Sequence, residues 1–197
     1  MERLILARHG ESEFSVRGAV NGEVAVACPL TAAGVEQARQ LGAKLAPVRI
    51  DLCVTSRFER TRQTADVALA GRDVPRLVVA DFDDPRYGTF EGGSLDDYRA
   101  WASSQPSNVP APGDGESRLA IVERYAAGFR ALLERGEDSV LLVAHSLPLA
   151  YVLLALEGEA PAPRVPLVEY ARPHELQAAE VERAVDLLEE WCAAPTW

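Results

Sequence analysis

Near the start of the chain, Arg8-His9-Gly10-Glu11 joins a guanidinium, an imidazole and a glycine directly to the apolar run Leu4-Ile5-Leu6-Ala7. A short apolar run bounded by glycine predicts a buried parallel strand. In open α/β sheets, ligands bind just outside the carboxyl ends of the strands. The chain therefore sets a cation and a nucleophile-capable ring at a strand end. The pattern recurs. Thr55-Ser56-Arg57-Phe58-Glu59-Arg60-Thr61-Arg62-Gln63-Thr64-Ala65 follows the apolar run Ile50 to Val54, and Val140 to Ala144 ends in His145-Ser146. Either histidine alone reads as an ordinary strand-end residue; the pair, with arginines beside it, suits phosphoryl transfer. That chemistry needs an unprotonated imidazole nitrogen aimed at phosphorus and cations around the phosphoryl oxygens. It also needs a proton donor for the leaving oxygen and hydrogen bonds that hold the nucleophile's tautomer.

The elements that position these groups alternate between strand and helix, which points to a doubly wound α/β sheet. Thr31 can cap a helix running to about Ala46, with Val35, Ala38, Leu41 and Leu45 on one face. Ile50 to Val54 is the next strand, followed by a helix from about Phe58 to Ala70 and a strand from Arg76 to Ala80. Leu119, Val122, Ala126, Phe129 and Leu133 form an amphipathic stripe leading into the strand Ser139 to Ala144. Leu147 to Leu156 predicts an apolar helix, Pro161 to Pro166 a loop, Val168 to Ala171 a last strand, and Leu176 to Trp191 a closing helix. Tyr98 and Trp101, in a short helix, read equally as a substrate wall or as core. The irregular loop Asn108 to Gly115 is of the kind that shapes substrate access. Specificity is expected from 16–28 and 101–115.

Composition narrows the class. At 197 residues, with 48% hydrophobic and 25% charged residues, the chain fits one soluble domain. Its net charge of −10 argues against a general nucleic-acid surface. An acidic protein that binds phosphate must concentrate its cations, and Arg8, Arg57, Arg60 and Arg62 could do so. Cys28, Cys53 and Cys192 have no paired spacing, which suggests a reducing compartment, and Cys53 reads as a buried small hydrophobe. No signal-peptide pattern opens the chain and no apolar run reaches membrane-span length, so a cytoplasmic location without membrane partners is expected. His9, His145 and His174 lack a compact metal-ligand spacing, and there is no Walker-type glycine loop; neither metal nor cofactor is expected. His174 is expected to be exposed and inert.

With Asp84-Pro85-Arg86-Tyr87-Gly88-Thr89-Phe90-Glu91-Gly92 added, these segments resemble, in order and interval, the histidine phosphatase superfamily, which includes the cofactor-dependent phosphoglycerate mutases. The resemblance runs from about Met1 to about Leu156. It implies a three-layer α/β/α fold with a mostly parallel central sheet, phosphoglycerate mutase-like, with 1–197 as a single histidine phosphatase domain. It makes His9 the residue that carries phosphate, Arg8 and Arg60 the clamps, and His145 the second histidine that stabilises phosphate charge. The family proton donor is commonly a glutamate four residues before the glycine; here Asp84 stands there, with Asp83 and Glu91 as rivals. Asp84 could donate if desolvation raises its pKa. Asn21-Gly22 match the pair that contacts substrate in mutases, and Ser15 stands where mutases carry asparagine. Arg57 falls at a variable position and lines the pocket mouth or is solvated surface. Ser56 orients the site or caps a helix. Ser146 replaces a glycine, narrowing the approach to phosphate and adding a hydroxyl.

The activity this implies is a metal-independent phosphomonoesterase acting on small phosphorylated metabolites. The mutase stretch Glu-Arg-His-Tyr is absent, which disfavours a phosphoglycerate mutase. The intact Arg8, His9, Arg60 and His145 set weighs against a non-catalytic phospho-ligand binder. The expected partner is a small-molecule phosphate ester; oligomeric state stays open, a homodimer included.

Overall fold

A computed structural model describes residues 1–197. Five strands form one sheet: β1 (Arg3–Arg8), β2 (Leu52–Thr55), β3 (Arg76–Val78), β4 (Ser139–Ala144) and β5 (Pro173–Gln177), in the order β3-β2-β4-β1-β5. All neighbouring pairs are parallel except β1 with β5, so the sheet is mostly parallel, as expected. Seven α-helices accompany it: α1 (Glu13–Val16), α2 (Ala32–Leu45), α3 (Glu59–Ala68), α4 (Leu95–Ser103), α5 (Arg118–Leu133), α6 (Ser146–Leu156) and α7 (Ala178–Ala193). None of them is long and apolar enough to cross a membrane.

The central strands β1, β2 and β4 are buried on both faces because they are apolar at nearly every position, and alternation sends neighbours to opposite layers. Leu4, Leu6, Leu52, Val54, Val140 and Leu142 pack under α5, α6 and α7. Ile5, Ala7, Cys53, Leu141 and Val143 pack under α2 and α3. Together they make the three-layer α/β/α arrangement. Cys53 sits fully buried in the second cluster, and burial pushes its thiol up to about 12. All three cysteines are free thiols.

Strand register builds the site. β1 and β4 run level, Arg3 against Ser139 and Arg8 against Ala144, so the residues after them, His9 and His145, emerge side by side. The His9 amide extends the ladder by donating to Ala144 O at 2.9 Å. β2 pairs Thr55 with Val143, which delivers Ser56 to the same edge.

The C-terminal region differs from the expectation. Val168 to Ala171 is not a strand; only Tyr170 makes an isolated bridge, with Arg8. The last strand is instead Pro173–Gln177, a polar antiparallel edge on β1, and the closing helix starts after it at Ala178. His174 is thereby half-buried opposite Leu6 rather than exposed in a loop, and burial lowers its pKa.

The turn after β1 is held by close backbone approach. A Cβ at Gly34 on α2 would lie 2.0 Å from Glu11 O, and one at Gly10 would lie 2.4 Å from Gly34 O. The Thr31 side chain caps α2 by accepting from Gly34 N at 3.0 Å and donates to the Glu11 carboxylate at 2.7 Å. Alanine in place of glycine within a helix normally stabilises by about 0.5–1 kcal/mol. Here Gly34→Ala should destabilise the protein by about 1–3 kcal/mol, the usual cost of overpacking, and urea denaturation reads the sign.

Candidate active site

His9 is 4% exposed, and its Nδ1 lies 2.7 Å from the carbonyl of Gly10. A carbonyl only accepts, so the proton sits on Nδ1 and Nε2 keeps its lone pair; the His9 ring lines the cleft. Burial, with Arg60, His145 and Arg8 close by, holds the His9 pKa well below the ordinary imidazole value. The ring is neutral at neutral pH, as a nucleophile must be. The peptide that carries it is fixed in turn: Gly10 N donates to Thr64 Oγ1 at 3.0 Å.

Arg60, on the first turn of α3, is 3% exposed. Its guanidinium donates to Asn21 Oδ1 (2.6 Å), Asn21 O (3.1 Å) and Asp84 Oδ2 (2.7 Å), and it lies over the Phe58 ring with Cζ 4.3 Å from the centroid. The same Asp84 oxygen is 3.2 Å from His145 Nδ1. Nε2 of His145 is bonded to Ser56 Oγ at 2.8 Å, and its ring stands edge-on to His9 at 5.3 Å between centroids. Ser56 thus orients His145; the N-cap of α3 is Phe58 instead. Burial raises the Asp84 pKa, but His145 and Arg60 outweigh it and hold the carboxyl well below the usual range. Desolvation alone therefore does not keep Asp84 protonated here, because His145 and Arg60 oppose it.

Arg8 is 7% exposed, stacks on Tyr170 with Cζ 3.8 Å from the ring centroid, and donates to Val168 O at 2.8 Å. Ser146 Oγ accepts from Val168 N at 2.9 Å. The hydroxyl that replaces a glycine is therefore spent on the 165–171 segment. It lines the cleft but holds the chain there.

Of the other expected residues, Asn21 lines the cleft beside Arg60, and so does Ser15, whose Oγ bonds Ser12 O at 2.7 Å. Arg57 and Gly22 do not. Arg57 is largely exposed and its Nε is tied to Asp83 Oδ2 at 2.6 Å, in a shallower pocket behind Asp84. The Gly22 amide donates to both Glu91 carboxylate oxygens at 3.0 Å, which places both in loop support. Asp83 is bound to Arg57 and lines the second pocket, not the cleft that holds His9. Arg62 is exposed on the outer face of α3. Arg8 and Arg60 line the cleft, and so do two arginines that sequence reasoning missed, Arg99 and Arg118. Tyr170 was missed too; the only signal for it is its place in a stretch misread as a strand.

The cleft has a cavity volume of about 170 Å3 and opens to solvent. Its lining includes the apolar and aromatic side chains Phe14, Leu95, Tyr98, Leu147 and Leu167. No cluster of three or more His, Cys, Asp or Glu side chains is arranged to hold a metal ion.

A family model described as the histidine phosphatase superfamily (branch 1) matches residues 4–192. An adenosylcobalamin/alpha-ribazole phosphatase of Salmonella typhimurium is 31% identical over 163 residues, 78% of this chain and 79% of that one. A 2,3-bisphosphoglycerate-dependent phosphoglycerate mutase of a Methylobacterium is 34% identical over 174 residues, 80% and 82% of the two chains. Among solved structures, the alpha-ribazole phosphatase of Shigella flexneri superimposes with a TM-score of 0.70 at 26% identity, covering 86% of this chain and 96% of that one.

The depressed His9 pKa has a consequence for stability. The unfolded chain protonates this imidazole near pH 6.5, and the folded chain does so only at much lower pH. The contribution is fully present above pH 6.5 and is lost as pH falls toward the folded value, by up to about 1.4 kcal/mol per pH unit. Urea denaturation of wild type and His9→Asn between pH 7.5 and 5.0 checks this: the variant should show the shallower loss.

Proposed function

The chain belongs to the histidine phosphatase superfamily and is an enzyme of that family, and we propose that it hydrolyses small phosphomonoesters without a metal, through a phosphohistidine on His9. The observation that carries the reading is the Nδ1 bond to Gly10 O, which leaves Nε2 unprotonated in a cleft shared with Arg8, Arg60 and His145.

In the first step, the Nε2 lone pair attacks phosphorus, the P–O ester bond breaks, and the leaving oxygen takes a proton from Asp84. Arg8 and Arg60 meet the phosphoryl oxygens, each able to bind two at once. His145 adds a hydrogen bond, and the amino end of α6, which begins at Ser146, adds partial positive charge. In the second step, water attacks phosphorus, the N–P bond breaks, and Asp84 recovers a proton from the water. Asp84 is held ionised by His145 and Arg60. A phosphate dianion that takes over the Arg60 guanidinium removes one of these partners and sets a like charge beside the carboxylate. Both changes raise its pKa, so substrate binding itself supplies a protonated acid.

Hydrolysis rather than mutase transfer is supported by the absence of the Glu-Arg-His-Tyr stretch: Asp84-Pro85-Arg86-Tyr87 stands there, and Arg86 is turned outward, with its Nε on Asp114 O at 3.2 Å. The names of the Salmonella and Shigella relatives also favour hydrolysis. The free thiols fit a cytoplasmic setting.

Para-nitrophenyl phosphate should turn over in the presence of chelator, and His9→Ala should abolish turnover with an unchanged circular dichroism spectrum. Activity that survives in His9→Ala would overturn the mechanism. Asp84→Asn should slow alkyl phosphates by about 10²–10⁴, the usual worth of a positioned acid. An aryl ester with a good leaving group should slow by under about tenfold. Equal slowing of both substrates would point to a different acid.

A further inference from the structure

Two further arginines, Arg99 and Arg118, line the cleft beside Arg8 and Arg60. Arg118 is 7% exposed and lines the same cavity as His9. Its contacts are long: 3.4 Å from Nη1 to Tyr151 Oη and 3.5 Å from Nη2 to Pro163 O. Its Nε is buried with no partner, and so is the hydroxyl of Tyr98, whose ring centroid lies 5.1 Å from the Arg118 Cζ. Arg99, on α4, lines the cavity too and holds only Val165 O, at 3.3 Å. No carboxylate lies within 4.0 Å of either guanidinium.

Nothing in the fold calls for a cation there. Arg118 is the first residue of α5, where the helix macrodipole is positive and opposes it. A buried, unpaired charge is costly. A chain with 30 acidic residues against 20 basic ones had carboxylates to spare for pairing it. The same signature occurs once more in the cleft, at Arg8, whose Nε is also buried without a partner at the phosphate end.

We infer that Arg118, assisted by Arg99 and the Tyr98 hydroxyl, is a specificity-determining residue that binds a second anionic group of the substrate, a carboxylate or a second phosphate. The preferred substrates are then phosphomonoesters carrying another anion, which neither a neutral sugar phosphate nor an alkyl phosphate supplies. This rests on the reading of the cleft as a phosphomonoesterase site.

The test compares alkyl phosphates with three to six carbons whose far end is a hydroxyl, a carboxylate or a second phosphate. Wild type should favour an anionic end at least tenfold in kcat/KM at one or more spacings, mainly through KM. The carboxylate and phosphate arms show which anion is read. Arg118→Met should erase the preference while kcat/KM on para-nitrophenyl phosphate stays within threefold, and Arg118→Lys should keep part of it. Absence of preference at every spacing, preference retained in Arg118→Met, or equal loss on hydroxyl-ended and anionic substrates would each overturn the inference. If Arg118→Met does not fold, Arg118→Lys and Arg99→Met must each reduce the wild-type preference, and an unchanged preference in both overturns it. Calorimetric binding of the same pairs to His9→Ala reads the preference without turnover. Failure of the phosphohistidine mechanism, seen as His9-independent turnover, is thus told apart from failure of the subsite.

Discussion

A guanidinium buried to 3% exposure must have its donors and its charge met inside the protein, and Arg60 imposes that condition on the whole site. Its partners come from separate parts of the chain. Asn21 gives both its side chain and its carbonyl, Asp84 gives a carboxylate oxygen, and Phe58 gives a ring face. Meeting Arg60 therefore fixes where the 18–22 loop and the 83–88 segment lie against α3. Those segments are tied to the next ones: Val20 exchanges backbone bonds with Gly92 and Gly93, and Leu95 N donates to Gly18 O. The wall of the cleft is thus hung from one cation in the core of the site.

The sheet supplies the complementary constraint. Because β1 and β4 are level and β2 reaches the same edge, His9, His145 and Ser56 emerge together without any loop having to carry them. Loops that carry chemistry on their own are mobile; strand ends in a sheet buried on both faces are not. Arg8 and Arg60 share the cleft with one carboxylate, Asp84, and two imidazoles whose pKa values burial lowers, which leaves it a surplus of positive charge. Aspartate in place of the longer glutamate still reaches both Arg60 Nη2 and His145 Nδ1. The shorter side chain keeps the contacts that define its resting state.

Most of this was legible where physics acts locally. Leu4 to Ala7 and Val140 to Ala144 announce buried strands because every residue is apolar, and the histidines after them inherit the strand-end position. The last strand was not legible. Pro173-His174-Glu175-Leu176-Gln177 is polar because it lies at a sheet edge with most of its side chains outward, so its composition says loop. Val168 to Ala171 carries the apolar signal but serves as a clamp on Arg8 and Ser146. Arg57 and Arg62 were read as cations near phosphate because they neighbour Arg60 in sequence. Arg62, two positions on from Arg60 in α3, points to another face, Arg57 lies before the helix begins, and both are exposed. Arg118 was invisible for the opposite reason: as the opening residue of an amphipathic helix it has the pattern of solvated surface, and only the packing of Tyr98, Tyr151 and Pro163 around it shows otherwise.

The departure at Ser146 ties these parts together. Val168 is gripped through both its backbone groups, its carbonyl by Arg8 and its amide by Ser146. Tyr170, two residues on, bridges the Arg8 backbone and stacks on its guanidinium, and Ala171 N donates to Arg8 O at 2.9 Å. The segment that forms the outer wall of the cleft is therefore bonded to the same arginine that must meet phosphate. Glycine at 146 would leave the Val168 amide without this acceptor and the segment held from one side only. With serine there, the wall and the clamp form one unit. A ligand that displaces residues 165–171 must also disturb Arg8, and a phosphoryl group drawn to Arg8 must fit the wall as that unit presents it.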